Sequence, residues 1–264
     1  MPVLFWLDSG YRWSQAVGMF ESNRCAAVVP CFNEAASIVS LIKALKRYVP
    51  SIIVVDDGSS DDTADSAAEA GATVVRHERN MGKGAALRTG LAQVRKMGFE
   101  WAVTLDGDGQ HAPEDVPILF DCARTNGATL VVGNRMAAAE RMCWLRRQVN
   151  RFMSWQLSRR TGRQLPDTQC GLRLIHLPTW ERLVLKTERF EIESEMLIAF
   201  LAAGERVEFV PVQVIPSNRK SRIRPLADTV RWLRWWSASA RTSKQVLRGL
   251  KIKEPAPHGE MLAR

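Results

Sequence analysis

The sequence has no C-x-x-C pair, and its five cysteines (Cys25, Cys31, Cys122, Cys143 and Cys170) are scattered and odd in number. Structural zinc and dithiol redox chemistry both need closely spaced thiolates, so neither is expected, and a reducing cytosolic setting is the plain reading. The four histidines, His77, His111, His176 and His258, are equally dispersed and show no zinc spacing. No stretch approaches the roughly 18 unbroken apolar residues of a membrane span. The run Val3-Leu4-Phe5-Trp6-Leu7, which ends at Asp8, is too short for the apolar region of a signal peptide. The chain is therefore expected neither to cross a membrane nor to be exported. Internal repeats and low-complexity tracts are missing as well.

What is present is bulk and positive charge. The 264 residues are 46% hydrophobic, enough for a substantial core in one main folded unit. A net charge of +9 and an isoelectric point of about 9.7 ask for an anionic partner: phosphate, nucleic acid or an acidic membrane surface. The charge is concentrated late in the chain. Residues 135–163 hold eight arginines against the lone acid Glu140, in a helical-looking stretch that carries Trp144 and Trp155. Residues 218–251 hold ten Lys or Arg against Asp228 and include "RWLRWW".

From residue 25 onward the pattern alternates. "CAAVV", "SIIVV", "ATVVRH", "WAVTL" and "ATLVVG" are short β-branched runs, and between them lie helical periods. The first helix would bury Ile38, Leu41, Ile42 and Leu45, and others are expected at about 84–97 and 113–126. Such alternation predicts an α/β fold, a mostly parallel sheet with helices on both faces. Ligands then sit beyond the carboxyl ends of the strands. The residues found there are "PCFNE" (30–34), "DDGSSDD" (56–62), "DGDGQH" (106–111) and "GNR" (133–135), dominated by carboxylates, amides and glycines.

"DGDGQH" sets two aspartates one residue apart, and carboxylates that close resist joint ionisation unless a cation or a bound phosphate network lies between them. An EF-hand loop counted from Asp106 would need Gly and Glu where His111 and Pro117 stand. The dinucleotide fingerprint is missing after the first strand, and "NMGKGAALRTG" lacks the first glycine and the Ser/Thr of a phosphate-binding P-loop. What remains is a D-x-D pair with Gln110 two places on, hard oxygen ligands suited to Mg²⁺ or Mn²⁺ holding a diphosphate.

Taken in order, "VVPCFNE", "VVDDGSSDDT", "NMGKGAALRTG", "LDGDGQH", "GNR" and "DTQCGLR" resemble the family 2 glycosyltransferases, and most of all their dolichyl- or polyprenyl-phosphate sugar synthase branch. The resemblance covers roughly residues 25–215. It implies a GT-A fold, a nucleotide-sugar donor, a divalent cation and inversion at the anomeric carbon. Carried over residue by residue, it implies that Pro30, Phe32 and Glu34 line the base and ribose pocket, with Asp56 and Asp57 hydrogen-bonding base or ribose. Lys83 of "NMGKGAALRTG" joins the donor-binding set. Asp106, Asp108 and Gln110 would hold the metal and, through it, the diphosphate. Arg135 and Arg173 would face phosphate oxygens, where charge grows as the glycosidic bond breaks.

Asp167 of "DTQCGLR" is the candidate carboxylate near the sugar. It would be a general base if the acceptor were a hydroxyl, whereas a phosphate monoester is already anionic at neutral pH and needs none. Glu191, Glu193 and Glu195 precede an apolar helix, where acids also suit the helix dipole, so Glu193 is a binding candidate with capping as its alternative. "SNRKSRIRP" resembles the family's basic loop and would bring Arg219 and Arg222 to donor or acceptor phosphates. The segment after Pro225, read as a helix with Val230, Leu233 and Trp236 on its apolar side, would lie on a membrane surface. The resulting division is an N-terminal extension (1–24), a GT-A domain (25–216), a basic acceptor loop and amphipathic helix (217–251) and a disordered tail (252–264).

Three functions compete. The leading one is transfer of a sugar from a UDP- or GDP-sugar donor to a polyprenyl phosphate by a cytoplasmic enzyme, peripheral on the inner face of the cytoplasmic membrane. The second keeps the enzyme but makes the acceptor a hydroxyl on a glycolipid, polyene lipid or saccharide. The third is nucleic-acid binding, prompted by tryptophan amid arginines; it leaves the acid-rich strand ends unexplained, so no nucleic-acid partner is expected.

Overall fold

A computed structural model of the chain describes residues 23–216 and 230–237. The expectations for the N-terminal extension up to residue 22, for Arg219 and Arg222 in the basic loop, for the helix beyond residue 237 and for the tail lie outside the described residues.

The β-branched runs become strands because successive side chains point to opposite faces and both faces find cover. In β1 (Cys25–Cys31) every residue except Pro30 is buried, and β2 (Ser51–Asp56) is buried from its second residue on. Seven strands form one sheet in the order β3-β2-β1-β4-β6-β5-β7. β3 spans Thr73–Arg76, β4 Trp101–Thr104, β5 Leu130–Asn134, β6 Arg173–His176 and β7 Val207–Pro211. β1 lies between β2 and β4 with both neighbours parallel, Val28 facing Ile53 on one side and Thr104 on the other. The exception to parallel pairing is β6, inserted antiparallel between β4 and β5. It delivers "DTQCGLR" against the carboxyl end of β4, where Thr104 Oγ1 donates to the Gly171 carbonyl at 2.7 Å.

The helices are α1 (Ala35–Leu45), α2 (Thr63–Glu69), α3 (Lys83–Lys96), α4 (Val116–Asn126), α5 (Trp144–Thr161), α6 (Leu177–Glu181), α7 (Ile192–Ala202) and α8 (residues 230–237). α1 buries the four residues read from its period. The helix expected at 113–126 begins instead as a 3-10 turn at Pro113–Asp115 before α4 starts. α3 packs on β1 and β2 across Gly90. A Cβ there would lie 2.4 Å from Val28 Cγ1, so only glycine permits this approach.

Over α8 the residues expected on the membrane side divide: Val230 (50% exposed) and Leu233 (37%) face outward, while Trp236 is half-buried. Trp232 is 2% exposed and its Nε1 donates to Ser194 Oγ of α7 at 3.1 Å. Trp236 stacks on Trp232 with ring centroids 5.3 Å apart, and Arg160 of α5 lies over the Trp236 ring, 4.7 Å from its centroid. These tryptophans serve packing against α7 and α5, since burying an indole whose N–H finds a partner outweighs presenting it to headgroups. No helix of the described residues is long and apolar enough to cross a membrane.

Candidate active site

The loops after β1, β2, β4 and β5 meet at one sheet edge, and their own polar groups stitch them together. Asn33, in a left-handed conformation with φ 52°, accepts from Ser60 N at 2.8 Å while its own N–H donates to Ser59 Oγ at 2.8 Å. The Glu34 N–H donates to Thr63 Oγ1 at 2.7 Å. Pro30 and Phe32 are partly buried beside these turns and Glu34 is buried.

Asp56 and Asp57 have separate tasks. Asp56 is fully buried; its Oδ1 accepts from Ser59 N at 3.0 Å, while Oδ2 lies 3.1 Å from Arg76 Nε without making a hydrogen bond. Asp57 organises the start of α3, accepting from Met81 N at 2.9 Å and Gly82 N at 2.8 Å. His77 Nδ1 lies 2.7 Å from Asp57 Oδ1 and its Nε2 3.0 Å from Thr89 Oγ1. No local pattern marks His77, because its partners lie 20 and 12 residues away.

Asp106 follows the buried Leu105 at the end of β4. Its Oδ1 is 2.6 Å from Lys83 Nζ, the first residue of α3, and Lys83 also bonds Glu193 Oε1 in the first turn of α7. Burial opposes the Lys83 cation, but Asp106 and Glu193 outweigh it and hold its pKa above the ordinary lysine value. Burial likewise opposes the Asp106 anion, yet Lys83 and then His111 hold its pKa well below the carboxylate range. His111 Nε2 is 3.6 Å from Asp106 Oδ2, and its buried Nδ1 has no hydrogen-bond partner. The capping alternative for Glu193 is thereby joined by an ion pair that links α3, α7 and the D-x-D loop. Glu195 anchors a loop, accepting from the backbone N–H groups of Lys186 and Thr187.

Asp167 is fully buried and clamped by Arg135. Its Oδ2 accepts from Arg135 N at 3.1 Å and Nε at 2.8 Å; its Oδ1 accepts from Arg135 NH2 at 3.0 Å and Gln169 N at 3.2 Å. Burial pushes the Asp167 carboxyl up, but the Arg135 guanidinium prevails and holds it below the usual range. Arg173 departs from its expected place at phosphate oxygens. Only 2% exposed, it donates to the carbonyls of Cys170 (2.8 Å), Glu193 (2.8 Å) and Thr168 (3.0 Å), tying the "DTQC" loop to α7. Cys170 is packed in the core, its thiol pushed up to about 12 mainly by burial.

Two further residues were not singled out by sequence. Gly171 leaves room for the Asp106 carboxylate, since a Cβ there would sit 2.7 Å from both carboxylate oxygens. Arg146, one arginine among eight, donates from α5 to Gln110 Oε1. Burial, and then repulsion from Arg135, lowers its pKa.

The donor set of the D-x-D loop suits a divalent cation. Asp106, Asp108 and Gln110 offer hard oxygens within five residues; Lys83 pairs with Asp106 and Arg146 bonds Gln110 Oε1, so a cation would take the place of those two side chains. Among the described residues no group of three His, Cys, Asp or Glu side chains forms an all-protein ion cage. A two-carboxylate loop is what Mg²⁺ or Mn²⁺ uses when substrate phosphates complete its shell.

A parallel sheet with one antiparallel insertion and an acidic loop at the end of its fourth strand defines the GT-A class of sugar-nucleotide transferases. Residues 26–176 match the family described as Glycosyl transferase family 2, and the chain belongs to that family. It is 34% identical over 215 residues to an uncharacterized protein of Methanocaldococcus jannaschii, covering 77% of this chain and 86% of that one. It is 28% identical over 211 residues to the UDP-N-acetylglucosamine--dolichyl-phosphate N-acetylglucosaminyltransferase of Methanococcus voltae, covering 71% and 84%. Among solved structures, mannosyl-3-phosphoglycerate synthase from Rubrobacter xylanophilus superposes with a TM-score of 0.67 at 19% identity, over 89% of this chain and 80% of that one. Glucosyl-3-phosphoglycerate synthase from Mycobacterium tuberculosis, solved with Mn²⁺, UDP and phosphoglyceric acid, gives 0.64 at 22% identity, over 96% and 86%. The chain is thus a glycosyltransferase with a GT-A fold.

Proposed function

We propose that this glycosyltransferase moves a sugar from a UDP- or GDP-sugar to a polyprenyl phosphate. The observation that carries the choice of acceptor is the Asp167–Arg135 clamp. A general base needs a free lone pair aimed at the departing proton and a pKa matched to the task. Asp167 accepts four hydrogen bonds, is fully buried and is held acidic by Arg135, which makes it a poor base for a hydroxyl. A phosphate monoester attacks as an anion and leaves no proton to remove. The dolichyl-phosphate specificity in the name of the Methanococcus voltae relative points the same way.

In this reading a phosphate oxygen of the acceptor attacks the anomeric carbon as the bond to the nucleoside diphosphate breaks, inverting that centre. The Asp56 carboxylate, whose Oδ2 is ion-paired with Arg76 at 3.1 Å, is the group assigned to an N–H of the donor base. Asp106, Asp108 and Gln110 would hold Mg²⁺ or Mn²⁺, which supplies positive charge opposite the leaving diphosphate. Lys83 and Arg135 position this acidic edge, since Asp106, Glu193 and Asp167 pair with them. The Mn²⁺ and UDP in the Mycobacterium tuberculosis neighbour support the cation and the nucleotide. The same reading keeps the protein peripheral at the cytoplasmic membrane, where such an acceptor resides.

The test is transfer from a panel of UDP- and GDP-sugars with Mn²⁺ or Mg²⁺, with and without undecaprenyl phosphate, in wild type and Asp108→Ala. Metal-dependent transfer to the lipid phosphate that disappears in the variant supports the proposal and names the donor. Nucleotide binding without transfer to that lipid refutes the acceptor assignment.

A further inference from the structure

The solvent side of α5 has a composition that neither the sheet nor the active site uses. At 100° per residue the buried positions Asn150, Met153, Ser154 and Leu157 occupy one side of this 18-residue helix. The opposite side carries Trp144 (65% exposed), Leu145 (50%), Phe152 (42%) and Trp155 (51%), with the exposed Arg151 and Arg159 among them. Arg159 lies over the Trp155 ring, 5.0 Å from its centroid. Single exposed apolar residues need no explanation, but four large ones along one helix face mark a contact surface.

We propose that this face of α5 is the surface by which the protein docks on a bilayer containing anionic lipids. Charge selects that occupant: the face carries Arg151 and Arg159 and α5 holds no acidic residue, so a second copy of the same face would meet like charge. Indole and phenyl rings flanked by arginines match the headgroup layer, rings at the acyl boundary and guanidinium groups at the phosphates. Position supplies a reason. Arg146, on the inward side of the same helix, touches Gln110 of the D-x-D loop, so the near end of the aromatic face, Trp144 and Leu145, lies about one helix diameter, roughly 10 Å, from that loop. Docking on this face brings the catalytic edge to the depth at which a lipid phosphate is found. The inference extends the acceptor assignment above, but it is tested with vesicles that contain no polyprenyl phosphate and so stands or falls separately.

The experiment is sedimentation of the full chain with phosphatidylcholine vesicles and with equimolar phosphatidylcholine–phosphatidylglycerol vesicles. Wild type is compared with Trp144→Ser/Phe152→Ser/Trp155→Ser and with Arg151→Gln/Arg159→Gln; thermal melting and UDP or GDP binding are measured on each. Wild type should sediment with the anionic vesicles. The aromatic variant should lose partitioning, and the arginine variant should lose about fivefold per cation removed, with melting and nucleotide binding kept. Wild type that stays in the supernatant, or variants that partition like wild type, would overturn the proposal. So would a wild-type dimer that the aromatic variant converts to monomer while vesicle binding is unchanged, since the face would then be a contact between copies. Wild type that partitions as expected yet binds neither nucleotide would leave the docking face standing and count against the donor assignment.

Discussion

Replacing Asp167 by Asn separates a structural carboxylate from a catalytic one. Asp167 faces Arg135 through two side-chain bonds of 2.8 and 3.0 Å in a site where neither group exceeds 5% side-chain exposure. Removing one partner of a buried pair leaves the other charge uncompensated and typically costs about 3–5 kcal/mol. For a domain of this size each kcal/mol moves the melting temperature by about 2–4 °C, so Asp167→Asn should melt roughly 6–20 °C lower. The paired variant Arg135→Met/Asp167→Leu should recover much of that loss, because apolar residues of similar volume leave no stranded charge. Thermal melts by circular dichroism report the first effect, and transfer to the lipid phosphate, assayed well below the melt, reports the second. A residual turnover is expected from the single variant. An unchanged melting temperature together with abolished transfer would refute the reasoning, because Asp167 would then act on the substrate and not on Arg135. The sign of the acid response follows from the depressed pKa of Asp167. Its contribution is complete above the unfolded carboxylate value of about 3.9 and is lost as pH falls through the lower folded-state value.

Gly171→Ala should push the Asp106 carboxylate from its position 2.7 Å from the new methyl group and weaken metal-dependent nucleotide binding by on the order of tenfold to a hundredfold, read by calorimetry with Mn²⁺. Asp57→Ala should destabilise the fold by about 2–3 kcal/mol, as it strands the Met81 and Gly82 N–H groups and His77; urea unfolding gives the number. Burial lowers the pKa of His176, so stability should decline as pH drops below the unfolded imidazole value of about 6.5, and His176→Gln should remove that part of the slope in melts from pH 8 to 5.5. Gly90→Ala, which would drive a methyl into Val28 and Val55, should lower the melting temperature without altering nucleotide affinity in the protein that remains folded.

What could be read from the sequence and what could not divides along physical lines. β1 and β2 were legible because a strand covered on both faces writes a continuous apolar run, and α1 because its period of apolar residues is complete. The strand β6 was not, because "RLIH" is four residues long and opens with an arginine that ordinary patterning places in solvent. That arginine is buried because three carbonyls receive it, a fact of tertiary geometry with no local trace. The same limit applies to Arg135 and Arg173. Both stand in motifs that resemble phosphate contacts, but their immediate partners are Asp167 and the backbone. Tryptophan shows it again at α8 and α5. Indoles beside arginines occur on both helices, and the sequence favoured the C-terminal one as the outward face. Burial separates the indoles, since Trp232 is 2% exposed while Trp144 and Trp155 are 65% and 51% exposed, and on α8 it is Val230 and Leu233 that stay outward. A local pattern fixes which residues can form a face. Which face the fold leaves open depends on the partner helix, here α7 closing over Trp232 through Ser194.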